Sequence, residues 1–218
     1  MPEPIVVVSE GEKVIGSSTI WRGVNLTIEP GEMVALVGPS GSGKTTLLNC
    51  LGCLSELTSG RLTMMGQDFS RRAPRKQRQF RRRHLGYLFQ NYALVESDTV
   101  LKNLQEPLRL LPRRDRPDRK EISRALADVG IEGRENSKVY HLSGGEQQRV
   151  ALAGVMLKRP SMILADEPTG ALDAENGALV LTKVREMVAC GGAAVIATHN
   201  ADVMDLCDRT IDVAHFRR

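Results

Sequence analysis

Gly38-Pro39-Ser40-Gly41-Ser42-Gly43-Lys44-Thr45 is the stretch of this chain that says most about its fold. It fits the pattern G-x-x-x-x-G-K-[ST], in which glycines let the backbone wrap until several N–H groups point at one phosphate. An apolar run at residues 33–37 precedes it, and a helical pattern at residues 45–54 follows it. Because the start of a helix adds partial positive charge, the sequence predicts a site for β- and γ-phosphates between a strand and a helix.

Three side chains at the end of this loop have predicted roles. Lys44 neutralises phosphate charge, and the hydroxyl of Thr45 is a candidate ligand for Mg²⁺. Thr46 follows directly and completes the set of residues expected to bind the nucleotide, residues 38–46.

A second glycine-containing segment is Leu142-Ser143-Gly144-Gly145-Glu146-Gln147-Gln148-Arg149. Ser143 is placed to cap a helix, and Glu146 three residues later completes a capping box. Gly144 and Gly145 leave the first backbone donors of that helix open to an anion. Taken alone, the segment is also compatible with nothing more than a well-capped helix.

Two adjacent carboxylates, Asp166 and Glu167, follow the apolar run at residues 162–165. They should emerge at the carboxyl end of a buried strand, where ligands bind in open α/β sheets. There Asp166 would hold Mg²⁺, directly or through water, and Glu167 would orient and deprotonate the attacking water. The alternative is a pair of surface acids at a turn.

Residues 142–149 resemble the signature sequence of ATP-binding cassette (ABC) ATPases, and the resemblance covers nearly the whole chain. It implies that Asp166 and Glu167 are the Walker B pair. It also implies that Gln90 is the Q-loop glutamine, which reaches the metal and the attacking water. His199 would be the switch histidine that contacts the γ-phosphate, and Asp173 would lie in the D-loop between two subunits. Without the family, Gln90 and His199 would be an ordinary polar strand end and a capping or surface histidine.

The resemblance implies an α/β fold: a P-loop NTPase with a RecA-like parallel-sheet core, an antiparallel β subdomain and a helical signature subdomain. We predict one domain, with the nucleotide-binding core at residues 1–90 and 158–218 and the mostly helical part at residues 91–157. Apolar patterns predict a helix at residues 174–188 and strands at residues 5–8, 24–28, 33–37, 61–66, 85–89, 162–165 and 193–197.

The family also implies a head-to-tail dimer that holds two ATP molecules. Each phosphate tail would be bound by the loop at residues 38–45 of one copy and by residues 143–145 of the other. Adenine usually stacks on an aromatic residue, but this chain has Ile15 at the corresponding position. Either Ile15 provides an apolar contact and the selectivity for ATP is loose, or the loop brings Trp21 to the base.

The composition, with 41% apolar and 26% charged residues among 218, is that of a soluble globular protein. No apolar run approaches the roughly 18 residues that cross a bilayer, and acidic Glu3 stands where a secretion signal would be basic. We expect a cytoplasmic chain that reaches the inner face of the membrane through an integral-membrane permease.

The net charge of +4 is concentrated at residues 71–83, which contain no acid. This run is either a solvated helix or arm, or a contact for nucleic acid or anionic headgroups. Phe80 is its only aromatic residue, so no base-stacking platform is evident and we do not expect nucleic acid as a partner.

Cys50 and Cys53 have C-x-x-C spacing within the leucine-rich helix that follows the loop. This position favours core packing. A redox pair or half of a zinc site is the alternative, but no second Cys or His pair completes such a site.

The resemblance points to the ATPase subunit of an ABC transporter. Residues 164–173 and 47–49 resemble the branch that exports macrolides, lipoproteins, and peptides or bacteriocins, and residues 85–92 resemble its bacteriocin-exporting members. A second interpretation is a mechanotransducing or regulatory ATPase that moves no cargo. A third, a soluble ABC ATPase acting on DNA or ribosomes, is disfavoured because the chain lacks a long coiled-coil insertion and a second cassette.

Overall fold

The structure is a computed structural model that describes residues 3–71, 73–89, 91–170 and 172–216. Within these ranges the chain forms nine strands: β1 Val6–Ile15, β2 Ser18–Ile28, β3 Met33–Val37, β4 Ser59–Met64, β5 Gln67–Asp68, β6 Leu85–Leu88, β7 Met162–Asp166, β8 Ala193–Ala197 and β9 Arg209–Asp212. The same ranges contain seven α-helices: α1 Lys44–Leu51, α2 Pro74–His84, α3 Val100–Leu108, α4 Arg119–Asp128, α5 Gly144–Lys158, α6 Ala174–Ala189 and α7 Ala201–Asp205.

A parallel sheet in the order β6-β7-β8-β3-β9 forms the centre of the fold. Its central strands β3, β7 and β8 are buried at nearly every position, as expected for strands that are covered on both faces. The carboxyl ends of these three strands meet at one edge of the sheet. The loop at residues 38–43, the pair Asp166–Glu167 and the segment that follows Ala197 are therefore neighbours.

A second, antiparallel sheet has the order β2-β1-β4-β5. Helix α1 packs against β7 and β8, whereas α5 packs against α3, α4, α6 and β6. The apolar side chains fall into two clusters, one around the antiparallel sheet and α1, the other around α3, α4 and α5. The α/β fold class with a parallel core, an antiparallel sheet and helices is confirmed. The division at residues 90/91 and 157/158 stays a prediction.

Most elements lie where the apolar patterns put them, and the differences have physical reasons. Strand β1 continues to Ile15, because its polar residues pair with β2 and β4 through irregular registers. Helix α1 ends at Leu51 rather than at residue 54. A Cβ on Gly52 would lie 1.4 Å from the hydroxyl oxygen of Tyr87, so the chain at this point must be a glycine.

The basic run at residues 71–83 contributes most of helix α2, which the sequence leaves open between a helix and an arm. Pro74 occupies the first turn, where a missing N–H costs little. Phe80 is buried against Phe69, with ring centroids 4.5 Å apart, and anchors the helix to the fold.

Among the described residues, no helix combines the length and the apolar character needed to cross a bilayer.

Candidate functional site

The loop between β3 and α1 is shaped by glycine. Gly38, Gly41 and Gly43 all have positive φ, and that of Gly43 is 98° at the start of α1. A Cβ on Gly43 would lie 2.6 Å from Cγ2 of Ile20 and 2.8 Å from Cδ1 of Trp21. Gly43 is therefore required by its backbone conformation and by the tight packing of the loop over Trp21.

The ammonium group of Lys44 lies over this loop. Its Nζ donates to the carbonyl oxygens of Gly38 at 2.8 Å and Pro39 at 3.2 Å. The hydroxyl of Ser42 is buried without a hydrogen-bond partner in the described part of the chain. A cation, a polar group without a partner and the amino end of α1 thus converge, and this arrangement fits a phosphate group.

The first turn of α1 and the end of β7 supply the predicted Mg²⁺ ligands. Thr45 is exposed in that turn, with Thr46 half-buried beside it, and Asp166 is the last residue of β7. The described residues contain no group of three His, Cys, Asp or Glu side chains that could hold a metal alone. This donor set fits Mg²⁺, which commonly takes one or two protein ligands together with phosphate oxygens and water. The third predicted ligand, Gln90, lies outside the described residues.

Glu167 is held at the edge of the sheet by contacts with the end of β8. Its backbone N–H donates to the carbonyl of Ala197 at 2.9 Å, and its φ of 47° turns the chain sharply after β7. Oε1 lies 2.6 Å from Nδ1 of His199, and Oε2 accepts from the hydroxyl of Thr198 at 3.3 Å. The structure thus brings together two of the predicted catalytic residues, Glu167 and His199.

These two side chains differ in exposure. The side chain of Glu167 is 17% exposed, whereas that of His199 is 77% exposed. The carboxylate is therefore fixed in a sheltered position, and the imidazole faces outward from it. Thr198, which the sequence analysis did not single out, is buried and fixes the second carboxylate oxygen. Its place next to His199 at a strand end is the only signal that could have indicated it.

The capping box predicted at the start of α5 is confirmed. The hydroxyl of Ser143 accepts from the N–H of Glu146 at 3.2 Å, and the carboxylate of Glu146 accepts from the N–H of Ser143 at 2.8 Å. The backbone N–H of Ser143 is the main reason that the pKa of Glu146 lies below its usual value. Gly144 is exposed and Gly145 half-buried directly after the cap.

Helix α5 is tied to the start of α6 by side chains that the sequence analysis did not connect. The guanidinium of Arg149 donates to the side-chain oxygen of Asn176, whose amide nitrogen donates to Asp173 at 2.6 Å. Asp173 also caps α6 by accepting the backbone N–H of Asn176 at 2.8 Å, and these two bonds lower its pKa. Gln148, buried in α5, donates to the carbonyl of Pro168 at 3.0 Å. The predicted D-loop residue is therefore linked to the signature helix of its own chain.

The structure decides between two interpretations of how the base could be held. Trp21 has no exposed surface and lies under the loop, so the interpretation in which it stacks on adenine is wrong. Ile15 is 54% exposed at the end of β1 and remains the candidate for an apolar contact.

The C-x-x-C pair fits core packing. Cys50 and Cys53 are buried, and the sulfur of Cys53 lies 3.6 Å from that of Met64. Burial raises the pKa of Cys50 to about 11, which keeps it a thiol at neutral pH.

Comparisons with known proteins agree with this geometry. The family profile described as "ABC transporter" matches residues 21–170. The macrolide export ATP-binding/permease protein MacB of Vibrio parahaemolyticus is 40% identical over 199 residues, which is 90% of this chain and 30% of that protein. MacB of Shewanella sp. strain W3-18-1 is 41% identical over 196 residues, which is 89% of this chain and again 30% of the relative. The chain thus spans under a third of the length of these curated relatives.

Solved structures resemble the chain over nearly its whole length. The dimeric structure of MJ0796, a bacterial ABC transporter cassette, has a TM-score of 0.85 at 32% identity and covers 96% of this chain and 95% of its own. A dimeric post-hydrolysis state of the same cassette, bound to ADP and Pi, gives the same values. CbiO1 of Clostridium perfringens, part of the transporter complex cbiONQ, has a TM-score of 0.83 at 28% identity, covering 98% of this chain and 86% of its own. On its profile match and its likeness to the MJ0796 cassette, the chain belongs to the ABC transporter family.

Proposed function

We propose that this chain is the Mg²⁺-dependent ATP-hydrolysing cassette of an exporter. The observation that carries the proposal is the shared sheet edge. Lys44 lies over its loop there, Asp166 ends β7, Glu167 follows it, and Nδ1 of His199 lies 2.6 Å from Oε1 of Glu167. The relatives support it, because MJ0796 has been seen with ADP and Pi and MacB is described as an ATP-binding/permease protein.

Glu167 is the general base of the proposed reaction. Its carboxylate is held from two sides by His199 and Thr198, so it can accept a proton from water without first reorganising. His199 is exposed next to it and can contact the γ-phosphate. Lys44 and the N–H groups of residues 38–46 hold the other phosphate oxygens. Mg²⁺, bound through Thr45 and Asp166 with Gln90 as a third ligand, would neutralise charge on the β- and γ-phosphates.

The proposed active form is a head-to-tail dimer. Ser143, Gly144 and Gly145 present the amino end of α5 to an anion, but α5 belongs to the helical part and packs away from α1. The loop of one copy and the signature segment of another would then hold the same ATP from opposite sides. The dimeric MJ0796 structures support this arrangement. Asp173 would lie near the same interface.

The proposed partner is an integral-membrane permease, which would place the cassette in the cytoplasm at the inner face of the membrane. The MacB relatives support this, since their name joins an ATP-binding part to a permease. The proposed cargo is of the kind moved by that branch: a macrolide-like drug, a lipoprotein, a peptide or a bacteriocin.

The test uses Glu167→Gln, which keeps the shape of the side chain and removes its basicity. We expect this variant to bind ATP, to lose about 10²–10⁴-fold in turnover, and to form a stable dimer with ATP and Mg²⁺ in light scattering. Glu132→Gln is the matched control, because Glu132 is exposed and far along the chain from the site. Lys44→Ala should weaken nucleotide binding itself.

Two results would contradict the proposal. Near wild-type hydrolysis by Glu167→Gln would remove Glu167 from the role of base. A variant that binds ATP but remains monomeric at every concentration tried would rule out the shared site.

A further inference from the structure

A groove of about 910 Å³ runs between helix α2 and the segment at residues 110–116. It lies away from the nucleotide site. Helix α2 leads directly into the amino end of β6, and Nδ1 of His84 lies 3.2 Å from the hydroxyl of Ser161, just before β7. The groove is therefore at the amino ends of these strands, whereas the site is at the carboxyl ends of β3, β7 and β8.

Arginines line this groove from both sides. On the α2 wall and the opposite wall they are Arg75, Arg78, Arg82, Arg83, Arg113 and Arg116. Arg81 also borders it but turns inward to donate to the carbonyl of Cys53. No lining residue that the structure describes carries a carboxylate. Walls rich in arginine provide planar, permanently charged guanidinium groups, each of which can donate two hydrogen bonds to one carboxylate or phosphate group.

These charges have few partners within the molecule. In the described ranges, no hydrogen bond or ion pair joins the side chain of Arg75, Arg78 or Arg113 to another residue, and all three are exposed. Asp115 contacts Arg114 at 3.6 Å and does not line the groove. The guanidinium groups that line the groove therefore repel one another, and an anionic ligand would reduce that repulsion.

The adjoining cavity of about 560 Å³ shares Arg83 and Arg116 with the groove, but it also contains acids: Asp115 and Glu121 line it, and Glu121 contacts Arg159 at 2.9 Å. Burial lowers the pKa of Lys158, which lines it, to about 8. The pKa of His84 is lowered by burial, by Arg83 and by Lys158. Burial accounts for the lowered pKa of Lys158, whereas at His84 neighbouring cations add to the effect of burial.

The spacing of the arginines sets the size of the ligand. Arg75, Arg78 and Arg82 follow one another at three- and four-residue intervals, so they share one face of α2 over about 10 Å. A single small anion cannot reach all of them together with Arg113 on the other wall. Leu110, which is 51% exposed, and its neighbours add apolar surface to the groove. The ligand should therefore carry several negative charges and an apolar group.

We propose that this groove is a docking site for an acidic segment of a partner protein, an extended peptide with several Asp or Glu side chains and an apolar residue between them. Its carboxylates would pair with the guanidinium groups of both walls, and its apolar residue would cover Leu110. Because the groove is at the opposite edge of the sheet, a bound segment would leave the nucleotide site accessible.

Two other polyanions fit the groove less well. A bilayer is flat and would touch only the rims, and α2 has no apolar face left to insert because Phe80 is packed against Phe69. Single-stranded nucleic acid needs aromatic platforms, and none of the described lining residues is aromatic.

The experiment measures binding of a fluorescein-labelled peptide of alternating Asp and Glu with one central Leu to the full chain, by fluorescence anisotropy. We expect saturable binding that weakens as salt is raised. The double variant R78E/R113E, with one change on each wall, should bind at least about tenfold more weakly, because each reversed charge repels the peptide. R119E/R124E is the matched control: it makes the same change in net charge at two exposed arginines outside the groove.

The readout separates docking from misfolding and from other ligands. R78E/R113E should keep the thermal midpoint and the basal ATPase rate of the unaltered protein. If both double variants lose the same affinity for the peptide, the effect comes from net charge and the proposal is wrong. The absence of saturable binding would also overturn it. Tighter, variant-sensitive binding of anionic phospholipid vesicles, of inorganic polyphosphate or of a single-stranded oligonucleotide would also overturn it.

Discussion

Replacing Asn176 with alanine should cost about 1.5–3 kcal/mol of folding free energy, although the residue is only half-buried at the start of α6. The change removes the acceptor of the Arg149 guanidinium, and hydrogen bonds to charged groups contribute about 1.5–3 kcal/mol. It also removes the exposed bond to Asp173. The Nε of Arg149 is already buried without a hydrogen-bond partner among the described residues. The backbone N–H of residue 176 still caps against Asp173.

The assay is urea unfolding followed by circular dichroism, with the free energy taken by linear extrapolation and the slope compared between variants. A double-mutant cycle with Arg149→Met isolates the bond. If the guanidinium and the amide act as one unit, the double variant should cost clearly less than the two single changes added together. The reasoning fails if Asn176→Ala loses less than about 0.5 kcal/mol at an unchanged slope, or if the cycle is additive.

Two further outcomes follow from local geometry. Ser143→Ala should cost about 1 kcal/mol at neutral pH, because it removes half of a capping box. The pKa of Glu146 is lowered in the folded protein, so the contribution of its carboxylate is present above the ordinary Glu pKa and is lost as pH falls through the lowered one. The stability gap between the unaltered protein and Glu146→Gln, measured by unfolding from pH 7 downward, should therefore shrink in acid; a constant gap would contradict the box. Separately, Trp21 emission should be blue-shifted and nearly unaffected by nucleotide. If Ile15 contacts the base, as the resemblance implies, dissociation constants for ATP and GTP should agree within about tenfold, less than strong stacking or hydrogen-bond selection would give.

The parts of the fold that the sequence predicts are those in which local pattern and burial agree. Strands β3, β7 and β8 are continuous apolar runs, and each is followed by a residue that a parallel sheet must bring to one edge. The sequence alone therefore predicts that the motif at residues 38–45 and the acids at the end of β7 are neighbours. The contact between Glu167 and His199 follows from the same topology, since β7 and β8 are neighbours.

Other features depend on contacts that no local pattern encodes. Helix α2 is mostly basic, and Phe80 is the one apolar residue on its buried side, beside the polar Gln77, so its helical periodicity is weak. Asn176 meets Arg149 because α6 and α5 pack together, 27 residues apart in sequence. Trp21 of β2 packs against the loop at Gly43 only because Gly43 has no Cβ, and this contact joins two segments that no local pattern connects.

The position of Lys44 bears on how quickly a nucleotide could be exchanged. Its ammonium is already bonded to two carbonyls of its own loop, so the loop keeps its shape without help from a ligand. When a phosphate enters, the ammonium of Lys44 would exchange these carbonyl oxygens for phosphate oxygens, and the loop would not have to become ordered. Association should accordingly be limited by diffusion and electrostatic attraction, and any slow step in the working cycle should come from larger movements of the protein.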